Sequence, residues 1–244
     1  MKIWIPFITA ALFTGIALAE DLPDGTVVPV MLSSGLNTTR DKSEKKIEGK
    51  VMQDVALPKA GNIRKGARVT GRVVNVTKGS SGFRIVLKFD AIRSEKRAVH
   101  LTAALLAVAS MGSVSDAQSP VSLNTDITPK DQWVTKQVGG DTVSRGLGKV
   151  ASRDGLVGTW VEGSSVLAKL TPNSDAGCPG GPGYDHEQSV WVFSSGACGT
   201  YGLKNVKIVA SGRLPPYGEI TLASKDNIEI RGGSGWLLIA IESK

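Results

Sequence analysis

Few residues in this chain are of a type that does chemistry, and their spacing limits what they could do. His100 and His186 are the only imidazoles, so a Ser-His-Asp hydrolase or any histidine base would have to be built on one of them. His186 sits in Tyr184-Asp185-His186-Glu187, a grouping that could poise a base or begin a metal site; a solvated loop is the more ordinary reading, and a metal would need further ligands. His100 falls on a half-buried element, where an imidazole is more often packed or surface-exposed than a ligand. There is no Gly-x-Ser-x-Gly elbow, and the serines cluster in loops, where they are ordinary turn residues. Gly146-Leu147-Gly148-Lys149-Val150-Ala151 fits a loose G-x-G-x-x-A pattern. No strand clearly precedes it and no Ser or Thr follows Lys149, so neither nucleotide-loop reading has its context. The sequence thus reads as non-enzymatic, with no metal and no cofactor.

Two other groups have a physical role to offer. Cys178 and Cys198 are the only cysteines, twenty residues apart in the stretch richest in Gly and Pro. In an exported chain such a pair forms one disulfide, stabilising a loop with little core of its own by about 3 kcal/mol. Arg68, Arg72, Arg84 and Lys88 alternate with apolar residues, so on paired strands they could share one face and meet the anionic groups of a polyanion or polysaccharide. The bland alternative is that they are solvent faces. Of the aromatic residues only Phe83 and Phe89 are interleaved with these four, and both should point inward, leaving no platform for stacking sugars or bases. Across residues 40–97 there are sixteen Lys and Arg against six Asp and Glu, a net +10, within a chain of formal charge +7.

The elements that must carry these residues read as strands. Residues 66–76 are rich in β-branched side chains and look like the middle of a sheet. Residues 83–92 alternate cleanly, with Phe83, Ile85, Leu87, Phe89 and Ala91 on one side and Arg84, Val86, Lys88 and Asp90 on the other. Residues 26–32 form a strand whose Pro29 demands an edge, or a nitrogen turned from its neighbour. Residues 33–48 read as a long loop or a short helix, and 47–57 as a strand. Residues 98–109 suit helix and strand alike, the first half being assigned as strand. Residues 189–193, 219–222 and 227–230 read as short strands. The almost wholly apolar 235–241 should be a final strand covered on both faces. The fold class expected is all-β, an antiparallel barrel or sandwich with a long Gly/Ser-rich insertion.

Residues 1–19 have the form of a signal peptide: a Lys2 start, an apolar run, and Ala17-Leu18-Ala19 before Glu20. The chain then divides into residues 20–109 as the first part of a β-barrel module, 110–175 as an insertion either partly disordered or making its own short elements, and 176–244 as the disulfide loop and closing strands.

Two pieces invite comparison with a known family. Asp24-Gly25-Thr26-Val27-Val28-Pro29-Val30-Met31-Leu32, then Gln53-Asp54-Val55, then Lys65-Gly66-Ala67-Arg68-Val69-Thr70-Gly71-Arg72, resemble in order the C-terminal β-barrel module of the TrbI-like scaffold subunits of type IV secretion channels. Ile228-Glu229-Ile230-Arg231-Gly232-Gly233-Ser234-Gly235-Trp236-Leu237-Leu238-Ile239 is similar to that module's closing strand pair, with Gly233-Ser234 where Gly-Thr is usual. The resemblance covers residues 24–93 and 226–241. Residues 110–200 hold a Gly-rich, cysteine-bearing insertion in place of the family's helical antenna, and no inner-membrane part or Pro-rich spacer is read. What the resemblance implies is a β-barrel scaffold exported across the inner membrane, as in small secreted bacterial proteins of unknown function, and no channel.

The expected function is therefore an exported protein of the periplasm, outer envelope or extracellular space with a structural or interaction role. Its expected partners are an envelope protein, an anionic polymer, or further copies of itself through strand edges. The alternatives are a secreted hydrolase using His186 or His100, and polyanion or polysaccharide binding through segment 40–97.

Overall fold

Alternating side chains make long strands here because every second residue finds the same apolar interior. The computed structural model describes residues 20–57, 61–80, 82–94, 97–121, 128–163 and 165–242; the signal segment read at 1–19 lies outside the described residues. Ten strands come first: β1 (Glu20–Asp21), β2 (Val27–Leu32), β3 (Leu36–Asn37), β4 (Lys46–Val51), β5 (Val55–Leu57), β6 (Gly61–Ile63), β7 (Arg68–Gly79), β8 (Gly82–Ser94), β9 (Arg97–His100) and β10 (Ala103–Ala109). Helix α1 (Met111–Gln118) follows, capped by the Ser110 hydroxyl on the Ser113 amide. Then comes a meander of β11 (Val134–Lys136), β12 (Thr142–Ser144), β13 (Lys149–Ser152), β14 (Gly155–Val161), β15 (Ser165–Lys169) and β16 (Glu187–Ser189). The chain closes with β17 (Gly199–Tyr201), β18 (Lys207–Ala210), β19 (Ile220–Ser224), β20 (Glu229–Ile230) and β21 (Gly235–Ala240). Among the described residues no helix is long and apolar enough to cross a membrane.

The large sheet runs β9-β8-β7-β4-β2-β21-β10, and the β18-β19 hairpin joins it by pairing β19 with the first half of β8. The amide of Leu105 on β10 donates to the carbonyl of Ser211, just beyond β18, at 2.8 Å. That contact nearly completes a barrel and uses up edges that would otherwise be open. Inside it Trp236 is fully buried and meets Phe89 edge-on, ring centres 5.9 Å apart, with Ile47, Val73, Leu87, Leu105 and Leu222 around them.

The two chain regions singled out by sequence meet in the wall: β2 pairs with β21, Val28 opposite Leu238. In β2, β21 and β10 both faces are covered. Val28, Leu238 and Leu105 point into the barrel, while Val27, Leu237, Ile239 and Ala107 face a second core shared with α1 and the meander. This is why residues 235–241 are apolar without alternation. β2 is consequently no edge strand. Its even-numbered residues bond β21, so Pro29 faces β4, at the end of that ladder, where its carbonyl accepts from the Met52 amide at 2.9 Å and no N–H is owed to β21.

The meander pairs each strand with the next, and beyond its ends Val138 bridges Phe193. It is tied to the barrel by polar side chains. Gln53 is 1% exposed; its Nε2 donates to the Val166 carbonyl at 2.9 Å and its Oε1 accepts from the amides of Val166 and Trp191 at 3.0 Å each. Gln188 Oε1 accepts from the Val27 amide, and Ser189 Oγ donates to the Asp54 carbonyl.

Several expectations are corrected. Residues 47–57 are two strands, β4 and β5, separated where Gln53 leaves the sheet to reach the meander. Residues 33–48 hold the short strand β3 and an Asx turn, with the Thr39 amide donating to Asn37 Oδ1 at 2.9 Å. Strand continues through the second half of 98–109, because β10 has partners on both sides. Ile92, not Ala91, faces the core: a bulge places Asp90 as an extra residue between Phe89 and Ala91 and shifts the alternation. The strand read at 189–193 ends at Ser189, and the chain turns at Trp191 with φ 51°.

A candidate anion-binding face

On β4, β7 and β8 one side chain in two is turned away from the barrel. Register decides which of them become neighbours. Lys46 stands opposite Arg72, and Arg72 opposite Lys88; four residues along, Lys50 stands opposite Arg68, and Arg68 opposite Arg93. Two rows of three cations thus cross the same three strands, each row about 10 Å wide at the usual strand spacing. Like charges directly opposite one another destabilise a sheet.

Carboxylates beside the rows relieve part of that repulsion. Asp90 takes Arg72 Nη1 on both oxygens at 3.0 Å, with Glu44 at 3.9 Å from Arg72 Nε, and Glu48 lies 3.8 Å from Arg68 Nη1. These pairs are partly exposed, where an ion pair contributes about 0–1 kcal/mol. Lys46, Lys50, Arg84, Lys88 and Arg93 make no ion pair among the described residues. Arg84 stands on the same outer face nearer the β7-β8 turn, opposite Thr77. Phe89 is buried and Phe83 half-buried and packed against the core, so neither of these two rings stands among the cations. The four basic residues picked out by sequence therefore share one face. Lys46, Lys50 and Arg93, which complete the rows, were not singled out, although the alternation in Lys46-Ile47-Glu48-Gly49-Lys50 carries the signal.

Close packing beneath this face fixes the rows. Gly71 lies between the positions of the two arginines, and a β-carbon there would collide with the backbone carbonyl of Lys88. Asp54 anchors the neighbouring β5-β6 hairpin. The Lys65 amide donates to its Oδ1 at 2.7 Å and Arg64 to its Oδ2 at 2.7 Å, and together they hold its carboxyl below the usual carboxylate range.

The remaining candidates are dispersed. Cys178 and Cys198 form a disulfide, S–S 2.05 Å. Cys178 is buried in the second core, so the bond pins the loop after β15 against the barrel's outer wall. His186 lies 2.7 Å from Asp185 through Nδ1 and accepts from Gln188 Nε2 at 2.9 Å; this contact with its imidazole lowers the Asp185 carboxyl. His100 lies 3.2 Å from Asp21. Both imidazoles are more than half exposed, at 65% and 52%, and among the described residues neither bonds a serine hydroxyl. The described residues include no group of His, Cys, Asp and Glu arranged to hold a metal. The glycine-rich run at 146–151 leads from a 3-10 turn into β13, not into a helix. The sequence matches no family model and no curated protein.

Proposed function

We propose that this chain is an exported, non-catalytic interaction protein that docks through the outer face of β4, β7 and β8 onto an anionic polymer or surface. The observation that carries this reading is the pair of three-cation rows. Evenly spaced positive charge across a rigid barrel wall costs self-repulsion in isolation and is relieved by phosphates or carboxylates arriving from outside. The lack of interleaved aromatic rings favours recognition of charge over stacking. The disulfide is compatible with an oxidising compartment, and the leader-like residues 1–19 support the periplasm, outer envelope or extracellular space. The resemblance of residues 24–93 and 226–241 to a TrbI-like scaffold barrel supports an envelope setting. Edge-to-edge self-association is the weaker route, since the nearly complete circuit pairs the strands it would use.

Retention on immobilised heparin tests the reading. The purified protein should bind at about 0.15 M salt and release as salt rises. Lys46→Glu with Lys88→Glu should advance elution, as should Lys50→Glu with Arg93→Glu, whereas Lys149→Glu on β13 should not. Flow-through of the unmodified protein, or an equal loss in the Lys149→Glu control, overturns it.

A further inference from the structure

Two apolar features flank the loop after β15. On one side the connection from β18 to β19 carries Leu214-Pro215-Pro216 as a ridge, with Leu214 79% exposed. On the other, the outer face of the meander holds a groove of about 590 Å3 walled by Leu156, Val157, Leu170 and Pro172, with Leu156 66% exposed. Pro172 belongs to the groove, while Ala176 and Cys178 line the hollow beneath Leu214. Asn173 and Cys178 exchange two backbone hydrogen bonds, of 2.7 and 2.8 Å, so only this tight hairpin separates ridge from groove. Single exposed apolar residues need no explanation, but a ridge and an apolar groove side by side mark an interaction surface.

Both features are held in shape. The Gly218 amide donates to the Gly212 carbonyl at 2.9 Å and closes the base of the ridge, and Arg213 hydrogen-bonds Tyr184 on the neighbouring loop. Pro215 and Pro216 have no N–H, so covering the ridge leaves few donors unpaired. In the groove, a β-carbon on Gly158 would collide with the Leu167 carbonyl, so β14 and β15 lie close, and Leu170 is anchored in the second core. A cavity of roughly 150 Å3 takes benzene, so the groove has room for a leucine and two proline rings. A chain cannot seat its own ridge in the groove beside it, but a second copy turned about a two-fold axis can. Charge agrees with that pairing. Lys169 is exposed at the groove and Glu219 lies below the ridge, and neither makes an ion pair among the described residues. A two-fold axis brings one of each together twice.

We propose that the protein forms a two-fold dimer through this surface, the Leu214-Pro215-Pro216 ridge of each copy seated in the Leu156-Leu170 groove of the other, with Lys169 facing Glu219 at the rim. Contact of this kind is self-complementary and closes at two copies. It uses neither a strand edge nor the outer face of β4, β7 and β8, so the cation rows stay open in the dimer. Dimerisation therefore stands or falls apart from anion binding.

Analytical ultracentrifugation of the purified protein over roughly 1–200 μM, at about 0.15 M salt, tests this. A monomer–dimer equilibrium in roughly the micromolar range is expected, with no larger species. Leu214→Ser and Leu156→Ser should each weaken it at least about tenfold, whereas Leu147→Ser, similarly exposed on the turn before β13, should not. An equal mixture of Leu214→Ser and Leu156→Ser copies should associate more tightly than either variant alone, because the mixed dimer keeps one ridge and one groove intact and facing each other. Lys169→Glu should weaken association about threefold, and Lys169→Glu with Glu219→Lys should recover it. Thermal melting checks that each variant is folded, which the exposure of both leucines favours. The proposal is overturned by a monomer throughout the range, by growth beyond the dimer, by association indifferent to Leu214→Ser and Leu156→Ser, or by mixed copies no tighter than each alone.

Discussion

In the barrel, β7 and β8 run for 12 and 13 residues with buried and exposed side chains in alternation, while β11, β12 and β16 of the meander have three residues each. The barrel encloses its own core around Trp236 and Phe89. The meander closes over the outer side of a barrel wall, borrowing Val27, Ala107, Leu237 and Ile239 for its interior. It also depends on Gln53 from the barrel and on a disulfide. Short strands bury too little apolar surface to offset chain entropy alone. The difference teaches that the barrel can carry the meander and the meander cannot stand without it.

Trp236→Ala tests that dependence most severely. It should cost about 3–5 kcal/mol and lower the stability of barrel and meander together in one transition, seen by denaturant unfolding with probes in each. Two separate transitions would break the comparison. Replacing both cysteines by alanine should cost about 3 kcal/mol, with new proteolytic cleavage confined to the loop after β15. Gln53→Leu should follow at about 2–3 kcal/mol, because it strands the amides of Val166 and Trp191 in the interior. Hydrogen exchange should quicken at Val166 while β7 and β8 keep their protection.

The smallest effect is expected at Asp54, beside the junction. Its carboxyl is held low when folded, so the stability it contributes is present above its unfolded value of about 3.9 and fades as pH falls through the folded one. Asp54→Ala should therefore destabilise by less than about 1 kcal/mol near neutral pH, the site being partly exposed. The gap from the unmodified protein should shrink in acid, measured by thermal midpoints across pH.

Much of the barrel was legible because a half-buried strand writes its burial into every second residue. Ile85, Leu87 and Phe89 are examples, and the unbroken apolar run at 235–241 announced a strand covered twice. The bulge at Asp90 left no such mark, since an extra residue changes the alternation only once its partner strand is in place. Trp191 misled for a related reason. Ser-Val-Trp-Val-Phe has strand composition, yet Gln53 and Gln137 capture the backbone of Trp191 and turn it. Neither glutamine carries a local signal of that role, because each acts on a residue more than fifty positions away.

The sequence by itself determined an all-β chain, a single possible disulfide and a basic segment, all of which follow from residue type and local period. Only the tertiary structure decided that Lys46, Arg72 and Lys88 line up, that Lys50, Arg68 and Arg93 do the same, and that Leu156 and Leu214 flank one loop. Side-chain period is local, but cross-strand neighbours are fixed by register, and register is set by turns, bulges and packing that join residues far apart in the chain.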